Sequence, residues 1–269
     1  MALDHALMLR AARTGEATLR IYTWRTPTLS FGRHEAAIAM YDRAAIEAEG
    51  LAVVRRPTGG RAVLHDDEIT YSVTAPLSAE HPGSSSGGAP GVARRAHARA
   101  LYTAINHLLL QGLARLGVAA EIASGDSAAT RPRSPGTGPC FDAASEGELV
   151  VGGRKLIGSA QWREDGAVLQ HGSMLISSHR ARLAALSARG LPVPAIPIPT
   201  AALRELLPRV PSPGEVAAAI GAVLDDALAT AGAPAARVIP PGDETDAMTA
   251  AMSAALRDRY EDEAWTWRR

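Results

Sequence analysis

The chain has 269 residues, of which 46% are hydrophobic and 21% are charged, a composition typical of globular proteins and unlike that of disordered chains. Its 28 Lys and Arg residues balance 28 Asp and Glu residues, so a general affinity for nucleic acid is not expected. A single cysteine excludes an internal disulfide, no apolar run is long enough to cross a membrane, and the first residues lack a signal-peptide pattern. These features predict a cytoplasmic protein that binds neither nucleic acid nor membrane.

The predicted elements begin with an amphipathic helix over residues 3–13, where apolar residues recur at helical spacing. Alternating and β-branched segments then predict strands, which are separated by turns rich in Gly and Pro. These strands occupy residues 17–24, 29–32, 51–55, 61–65 and 69–74, with a short helix over 41–48 between the second and the third.

A polar loop over residues 78–91 leads into the longest predicted helix, 92–116. A strand over 118–122 and a second loop over 124–138 follow. A hairpin turn at Gly152-Gly153 and a Glu-Asp-Gly turn then separate three further strands, at 148–151, 154–163 and 167–176. After a Pro-rich stretch at 191–199, helices are predicted over 215–231 and 243–259.

Strands thus dominate the middle of the chain and helices dominate its last third. That order predicts an α+β fold and lacks the regular alternation of strand and helix that a doubly wound fold requires. We expect one domain over residues 1–269, with a helical C-terminal part from about 200 to 269.

Two residue types that occur once lie close together in the sequence. Lys155 is the only lysine among the 28 basic residues, and Cys140 is the only cysteine. A cysteine at the end of a loop can meet a substrate, and a lysine on the adjoining strand can lower the thiol pKa and stabilise an oxyanion. The alternatives are a lysine that escaped an arginine-biased composition by chance and a cysteine that is a small buried hydrophobic residue.

The turn Pro57-Thr-Gly-Gly60 is a second candidate, because adjacent glycines between two strands let the backbone approach a ligand closely. The alternative is a plain hairpin turn. His65 and His171 lie near these motifs, and each is either a base or a structural histidine. No histidine pair at metal-ligand spacing occurs, so no metal site is predicted.

Several of these segments resemble one family. They are RRPTGGRAVLHDDEITYSV (55–73), CFD (140–142) with ELVVGGRKLIGSAQ (148–161), and LQHGSMLI (169–176). They are similar to the lipoate- and biotin-protein ligase superfamily, whose opening and end are matched by residues 1–7, 27–33 and 265–267. The resemblance implies a mixed β-sheet with flanking helices, related to the core of class II aminoacyl-tRNA synthetases.

Within that superfamily, Cys140-Phe-Asp142 and Arg61, which stands where many ligases have a third glycine, are similar to the cysteine-type octanoyltransferases. The resemblance implies transfer of an octanoyl group from octanoyl-acyl carrier protein, through a thioester on Cys140, to a lysine of a lipoyl domain, with the glycine cleavage H protein as the expected acceptor. Neither ATP nor another cofactor is expected. Lys155 would stabilise the oxyanion.

The resemblance also assigns substrate-binding residues, with Gly59 and Gly60 lining a tunnel for the acyl chain. The full predicted set is Arg56, Thr58, Gly59, Gly60, His65, Gly158, Ser159 and His171. For the arginines at 55, 56 and 61, two interpretations are open: a solvated strand edge, or a surface that docks the acidic carrier protein. Three other activities also remain open, namely an ATP-dependent lipoate-protein ligase, a lipoyl amidotransferase and a non-catalytic acyl-binding protein.

Overall fold

The computed structural model describes residues 1–77, 90–123, 147–188, 199–242 and 246–268, of which 90, 91 and 180 are described by their backbone alone. The helices are α1 (Ala2–Thr14), α2 (Ala37–Met40), α3 (Arg43–Ala48), α4 (Pro90–Arg115), α5 (Arg180–Ala185), α6 (Leu203–Leu206), α7 (Pro213–Ala231), α8 (Ala247–Ala255), α9 (Arg257–Glu261) and α10 (Glu263–Thr266). The strands are β1 (Thr18–Tyr22), β2 (Thr28–Phe31), β3 (Ala52–Arg55), β4 (Val63–His65), β5 (Glu68–Pro76), β6 (Glu121–Ile122), β7 (Leu149–Val151), β8 (Arg154–Glu164), β9 (Ala167–Leu175) and β10 (Arg237–Ile239).

The strands form two sheets. Seven of them form a large sheet in the order β10-β1-β5-β9-β8-β7-β6, in which β10 runs parallel to β1 and the other pairs are antiparallel. The small sheet has the order β3-β2-β4, with β2 parallel to β3 and antiparallel to β4. The predicted α+β fold with a mixed sheet and flanking helices is therefore confirmed.

The main hydrophobic core lies between one face of the large sheet and the helices α4 and α7. Gly112 of α4 permits this close packing, since a Cβ there would lie 2.6 Å from Cγ1 of Ile220 on α7. Helix α7 is well defined at both ends, with a capping box between Ser212 and Glu215 and a left-handed Gly232. Helix α1 packs against β5 and β9 on the opposite face of the sheet.

The small sheet has a core of its own, and the C-terminal residues complete it. Phe31 of β2 packs against Tyr41 and Trp267. Arg55, at the end of β3, is fully buried and donates to the backbone carbonyls of residues 32, 33, 35, 265, 266 and 268. This one guanidinium group therefore ties the C-terminal segment to the turn after β2.

Several predicted boundaries were wrong. The strand expected over 118–122 is limited to β6, and the helix expected over 243–259 is two helices, α8 and α9, with 243–245 outside the described residues. The C-terminal part also contains β10, which the sequence did not reveal. A strand of three residues is too short to show a period, and only its pairing with β1 makes it one. The single domain over 1–269 remains a prediction.

Candidate active site

Cys140, the predicted nucleophile, lies in the segment 124–146, outside the residues that the structure describes. The residues on either side of this segment are joined at the edge of the large sheet. The amide of Gly147 donates to the carbonyl of Ala123 (3.0 Å), and the amide of Ala123 donates to the carbonyl of Glu148 (2.8 Å). The segment therefore leaves and rejoins the described fold beside the start of β7.

Lys155 is buried near the start of β8, with 1% of its surface exposed. Strand pairing places it opposite Val150, and its ammonium Nζ lies 2.8 Å from Oε2 of Glu148. A buried ammonium group requires such a partner, because an unpaired charge loses its hydration without compensation. The only lysine of the chain is thus held in an ion pair beside the residues that flank the Cys140 segment.

A buried polar network extends from this ion pair toward α4. The other carboxylate oxygen of Glu148 accepts from the amide of Ser159 (3.3 Å), whose hydroxyl shares a hydrogen bond of 2.7 Å with the phenol of Tyr71. Gln170 donates both to that phenol (3.1 Å) and to the side-chain carbonyl of Asn106 on α4 (3.2 Å). Burial raises the pKa of Tyr71, so the phenol keeps its proton as a hydrogen-bond donor.

The network ends at the backbone that leads away from the Cys140 segment. The amide Nδ2 of Asn106 donates to the carbonyl of Gly147 (2.7 Å). Gly147 has a φ of 91°, a conformation that favours glycine. Side chains from α4, β5, β8 and β9 are thereby linked to the point at which the segment containing Cys140 rejoins the described fold.

The turn 57–60 packs on the opposite face of the large sheet. Its position is fixed by Arg56, whose guanidinium group donates to the carbonyls of Ser30 (2.9 Å), Gly59 (3.0 Å) and Arg61 (2.5 Å). Thr58 is fully buried, and its hydroxyl lies 2.6 Å from Nε2 of His171 on β9. The turn is therefore held from both sides, by an arginine at its base and a histidine from the sheet.

His171 is 4% exposed, and burial lowers its pKa to about 3. The ring is therefore neutral at pH 7. Its Nδ1 has no hydrogen-bond partner among the residues that the structure describes. Nδ1 is therefore an unused hydrogen-bonding nitrogen in the interior.

His65, at the end of β4, forms part of a second hydrogen-bonded chain. Its Nδ1 lies 2.6 Å from Oε1 of Glu68, and its Nε2 lies 2.7 Å from the hydroxyl of Ser30. Arg56 donates to that same hydroxyl oxygen (3.1 Å). Trp24 stacks on the imidazole at 4.2 Å. His65 therefore acts here as a structural link between the small sheet and β5.

The predicted residues divide between two faces of β8 and β9, because side chains alternate along a strand. Lys155 and Ser159 share the face that packs on α4 and α7. His171 lies opposite Ala160 in the sheet, and its side chain is on the face that packs on the turn 57–60. Gly158 occupies a position on that same face. The structure thus brings Thr58 and His171 together, and it joins Lys155 and Ser159 through Glu148.

The surface roles considered for two of the arginines were wrong. Arg55 is fully buried and Arg56 is 4% exposed, and both use their donors on backbone carbonyls. Neither residue is therefore a solvated strand edge or a surface that docks an acidic protein. The alternating pattern of residues predicted that Arg55 and Arg56 lie at the end of a strand. It could not reveal that the C-terminal segment and the turn 57–60 cover them.

Sequence reasoning also missed four members of the polar network: Glu148, Tyr71, Asn106 and Gln170. One signal was present, since Gln161 and Gln170 are amides within otherwise apolar strands, where an unpaired polar group is costly. Among the described residues, no group of His, Cys, Asp and Glu could hold a metal ion, and no helix is long and apolar enough to span a membrane.

Comparison with known proteins identifies related sequences. Residues 1–225 match the family described as lipoyl protein ligase A/B catalytic domain. An octanoyltransferase LipM from Kyrpidia tusciae is 45% identical over 179 residues, which cover 65% of this chain and 61% of that protein. The LipM octanoyltransferase of Moorella thermoacetica is also 45% identical over 179 residues, covering 66% of this chain and 60% of that one. The alignments thus span about three fifths of the length of these relatives.

Solved structures share the fold at low sequence identity. A lipoate-protein ligase A bound with ATP superposes with a TM-score of 0.72 at 19% identity, over 99% of this chain and 92% of that one. A putative lipoate protein ligase from T. acidophilum with bound lipoic acid gives a TM-score of 0.69, also at 19% identity and with the same coverage of each chain. The architecture expected from the resemblance, a mixed sheet of the class II synthetase-like type, is confirmed.

Proposed function

The chain belongs to the lipoyl protein ligase A/B catalytic domain family, and we propose that within this family it is an octanoyltransferase that acts through a cysteine thioester. The observation that carries the proposal is the buried pair of Lys155 and Glu148, which lies beside the residues flanking the segment with the only cysteine. The similarity to curated octanoyltransferases supports the same activity.

In the first half-reaction, the thiolate of Cys140 attacks the carbonyl carbon of a donor thioester. A tetrahedral oxyanion forms, the bond to the carrier sulfur breaks, and the carrier leaves as a thiol after taking up a proton. In the second half-reaction, the amine of an acceptor lysine attacks the acyl-enzyme. The amide forms, the amine loses a proton, and the Cys140 thiolate is regenerated. Thioester exchange needs no external energy and amide formation is downhill, so ATP is not required.

Lys155 has the role of stabilising the oxyanion and favouring the thiolate form of Cys140. A compact ammonium group suits this role, because it concentrates its charge on one nitrogen. Glu148 positions that ammonium group, and the network through Ser159 and Tyr71 holds Glu148 in turn. In this proposal Glu148 and Tyr71 are positioning residues, while Cys140 and Lys155 are catalytic.

The acyl chain is proposed to lie along the turn 57–60 and the strands beside it. Its walls would be formed by the predicted residues on that side of the sheet: Arg56, Thr58, Gly59, Gly60, His65, Gly158 and His171. Ser159 faces α4 and would instead serve the network that holds Glu148. The unpartnered Nδ1 of His171 supports this placement, because a buried polar nitrogen is stabilised by a hydrogen bond to a bound molecule. Arg56 contributes by fixing the shape of the turn through its three carbonyl contacts.

We propose octanoyl-acyl carrier protein as the donor and a lipoyl-domain protein as the acceptor, with the glycine cleavage H protein as the first candidate. A curated octanoyltransferase and a solved lipoate protein ligase with its E2 lipoyl domain, both similar to this chain, support a lipoyl-domain acceptor. The reaction would take place in the cytoplasm, where acyl carrier thioesters are available.

The deciding experiment is intact mass spectrometry of the protein after incubation with octanoyl-acyl carrier protein, with Cys140→Ala as the matched control. We expect an octanoyl adduct on the wild-type protein, no adduct on the variant, and loss of turnover in the variant. Labelling by free lipoate that depends strictly on ATP would contradict the proposal in favour of a ligase. Acylation from a lipoylated donor domain alone would favour a lipoyl amidotransferase, and binding with neither reaction would favour an acyl-binding protein.

A further inference from the structure

Three half-buried arginines, Arg33, Arg259 and Arg268, lie together around aromatic rings on one surface of the molecule. The charged carbons of Arg259 and Arg268 lie 4.6 Å and 4.2 Å from the centre of the same indole ring, that of Trp265. The guanidinium group of Arg268 also donates to the backbone carbonyl of Arg33. We call these three residues the arginine cluster.

Carboxylates close in sequence to the members of the arginine cluster pair with other groups. Glu261 faces Arg257 at 4.0 Å, and Glu263 pairs with Arg43 at 2.9 Å. Glu35 accepts from the amide of Gly32 (3.0 Å) and from the phenol of Tyr41 (2.8 Å). Within the described part of the chain, no carboxylate forms an ion pair with any member of the cluster. Among the described residues, the three guanidinium groups therefore have no carboxylate within ion-pair distance.

The crowding of like charge is visible in the titration of Arg268. Burial, and then the charges of Arg33 and Arg259, lower the pKa of its guanidinium group. Arginine stays protonated under all ordinary conditions, so a bound anion, and not loss of a proton, would relieve this crowding. Guanidinium groups bind phosphate well, because their N–H donors form paired, charge-assisted hydrogen bonds with phosphate oxygens.

The arginine cluster borders the proposed acyl site. The amide of Arg33 donates to the carbonyl of Thr58 (2.8 Å) in the turn 57–60. A ligand anchored on the cluster would therefore lie next to the turn along which the acyl chain is proposed to bind. The donor of that acyl chain is a thioester of a pantetheine arm, and the arm of a carrier protein ends in a phosphate ester.

We propose that Arg33, Arg259 and Arg268 bind the phosphate group at the end of the carrier protein's phosphopantetheine arm. This inference rests on the proposed function, since it identifies how the thioester donor is held.

The test compares octanoyl-phosphopantetheine with octanoyl-pantetheine, which lacks the phosphate, as donors for acylation of Cys140. We expect kcat/KM to be about tenfold or more higher for the phosphorylated donor in the wild-type protein. Arg259→Gln, and its combination with Arg268→Gln, should remove most of that preference and leave acylation by octanoyl-pantetheine unchanged. Arg257→Gln is the matched control, because Arg257 lies on the same helix but is exposed and paired with Glu261.

Binding without chemistry separates this inference from the proposed function. Calorimetric titration with phosphopantetheine itself should give heat of binding in the wild-type and Arg257→Gln proteins and at least tenfold weaker binding in Arg259→Gln. Equal use of both donors, or equal binding by all variants, would overturn the arginine site even if Cys140 is acylated normally. A failure of acylation with intact, arginine-dependent binding would overturn the proposed function alone. If Arg259→Gln lost the preference for octanoyl-phosphopantetheine but used octanoyl-carrier protein as well as the wild-type protein does, the assignment to the carrier arm would be overturned.

Discussion

The buried lysine and its glutamate partner form the smallest unit on which the proposed activity depends. Lys155 stands out in the composition because it is the only lysine. Glu148 does not stand out, because it is one of 28 acidic residues. Burial gives the pair its importance: in water such an ion pair contributes little, but inside the protein neither charge is tolerated without the other.

Lys155→Arg should lose most of the transfer activity while the protein remains folded. The charge is kept, but the larger planar group cannot place one nitrogen at the oxyanion and keep its contact with Glu148. Loss of such a donor typically lowers the rate by about 10²–10³-fold. Transfer rate, alkylation of Cys140 and the melting curve should be measured on one preparation. Full activity in this variant would show that Lys155 has no catalytic role.

Glu148→Gln should destabilise the protein, because it leaves the ammonium group of Lys155 buried without its carboxylate partner. The expected cost is about 3 kcal/mol in the free energy of unfolding. Adding Lys155→Met to Glu148→Gln removes the unpaired charge and should recover most of this stability, but not the activity. Urea denaturation of the two single variants and the double variant measures the coupling. If the double variant is no more stable than Glu148→Gln, the pair does not explain the loss.

At the scale of elements, the turn 57–60 depends on close backbone approach. Gly32, at the end of β2, has no side chain because a Cβ there would lie 1.8 Å from the carbonyl oxygen of Gly60. The amide of Arg33 meets the same turn at Thr58, so β2 and the turn form one packed unit. The adjacent glycines of the turn were recognised from the sequence, but the glycine that faces them was not.

Gly32→Ala should displace the turn, break the contact between Thr58 and His171, and lower the melting temperature by several degrees. The reason is a collision with backbone, which cannot be relieved by a rotamer change. Gly59→Ala is the control for stability, since nothing lies within 4 Å of a Cβ at that position. Thermal unfolding of both variants is the measurement. Equal melting temperatures for the two variants would mean that β2 and the turn are not packed as described.

At the scale of the whole molecule, buried neutral histidines make stability depend on pH. Burial holds the pKa of His171 at about 3, below its ordinary value of 6.5. The unfolded chain therefore binds a proton between these values that the folded protein excludes. Stability is fully present above pH 6.5 and is lost progressively as the pH falls toward 3.

We expect His171 to account for about 3 kcal/mol of the stability lost between pH 7 and pH 4. His171→Gln should flatten the pH dependence of unfolding over this range, because glutamine cannot take up the proton. Exposed His34 provides the control, and His34→Gln should leave the slope unchanged. Urea denaturation at pH 7, 5.5 and 4 gives the slopes. An unchanged slope in His171→Gln would show that the ring is not buried in its neutral form.

The sequence by itself determined the features that depend on neighbouring residues. The periodicity of apolar residues predicted α1 and α4, and alternation with glycine turns predicted the meander of β7, β8 and β9. The motifs around the single lysine identified the family to which the chain belongs, and they predicted Lys155 as a site residue. These signals are local, since helix and strand periods and turn chemistry act over a few residues.

Only the tertiary structure decided the features that depend on residues far apart in the chain. Arg55 and Arg56 are charged residues at a strand end, which local rules place in solvent. Backbone carbonyls nevertheless surround them, from residues 30, 32, 33, 35, 59, 61, 265, 266 and 268. The arginine cluster likewise joins Arg33 to residues near the C-terminus. No local pattern records such contacts, because burial and charge pairing arise only when distant segments pack together.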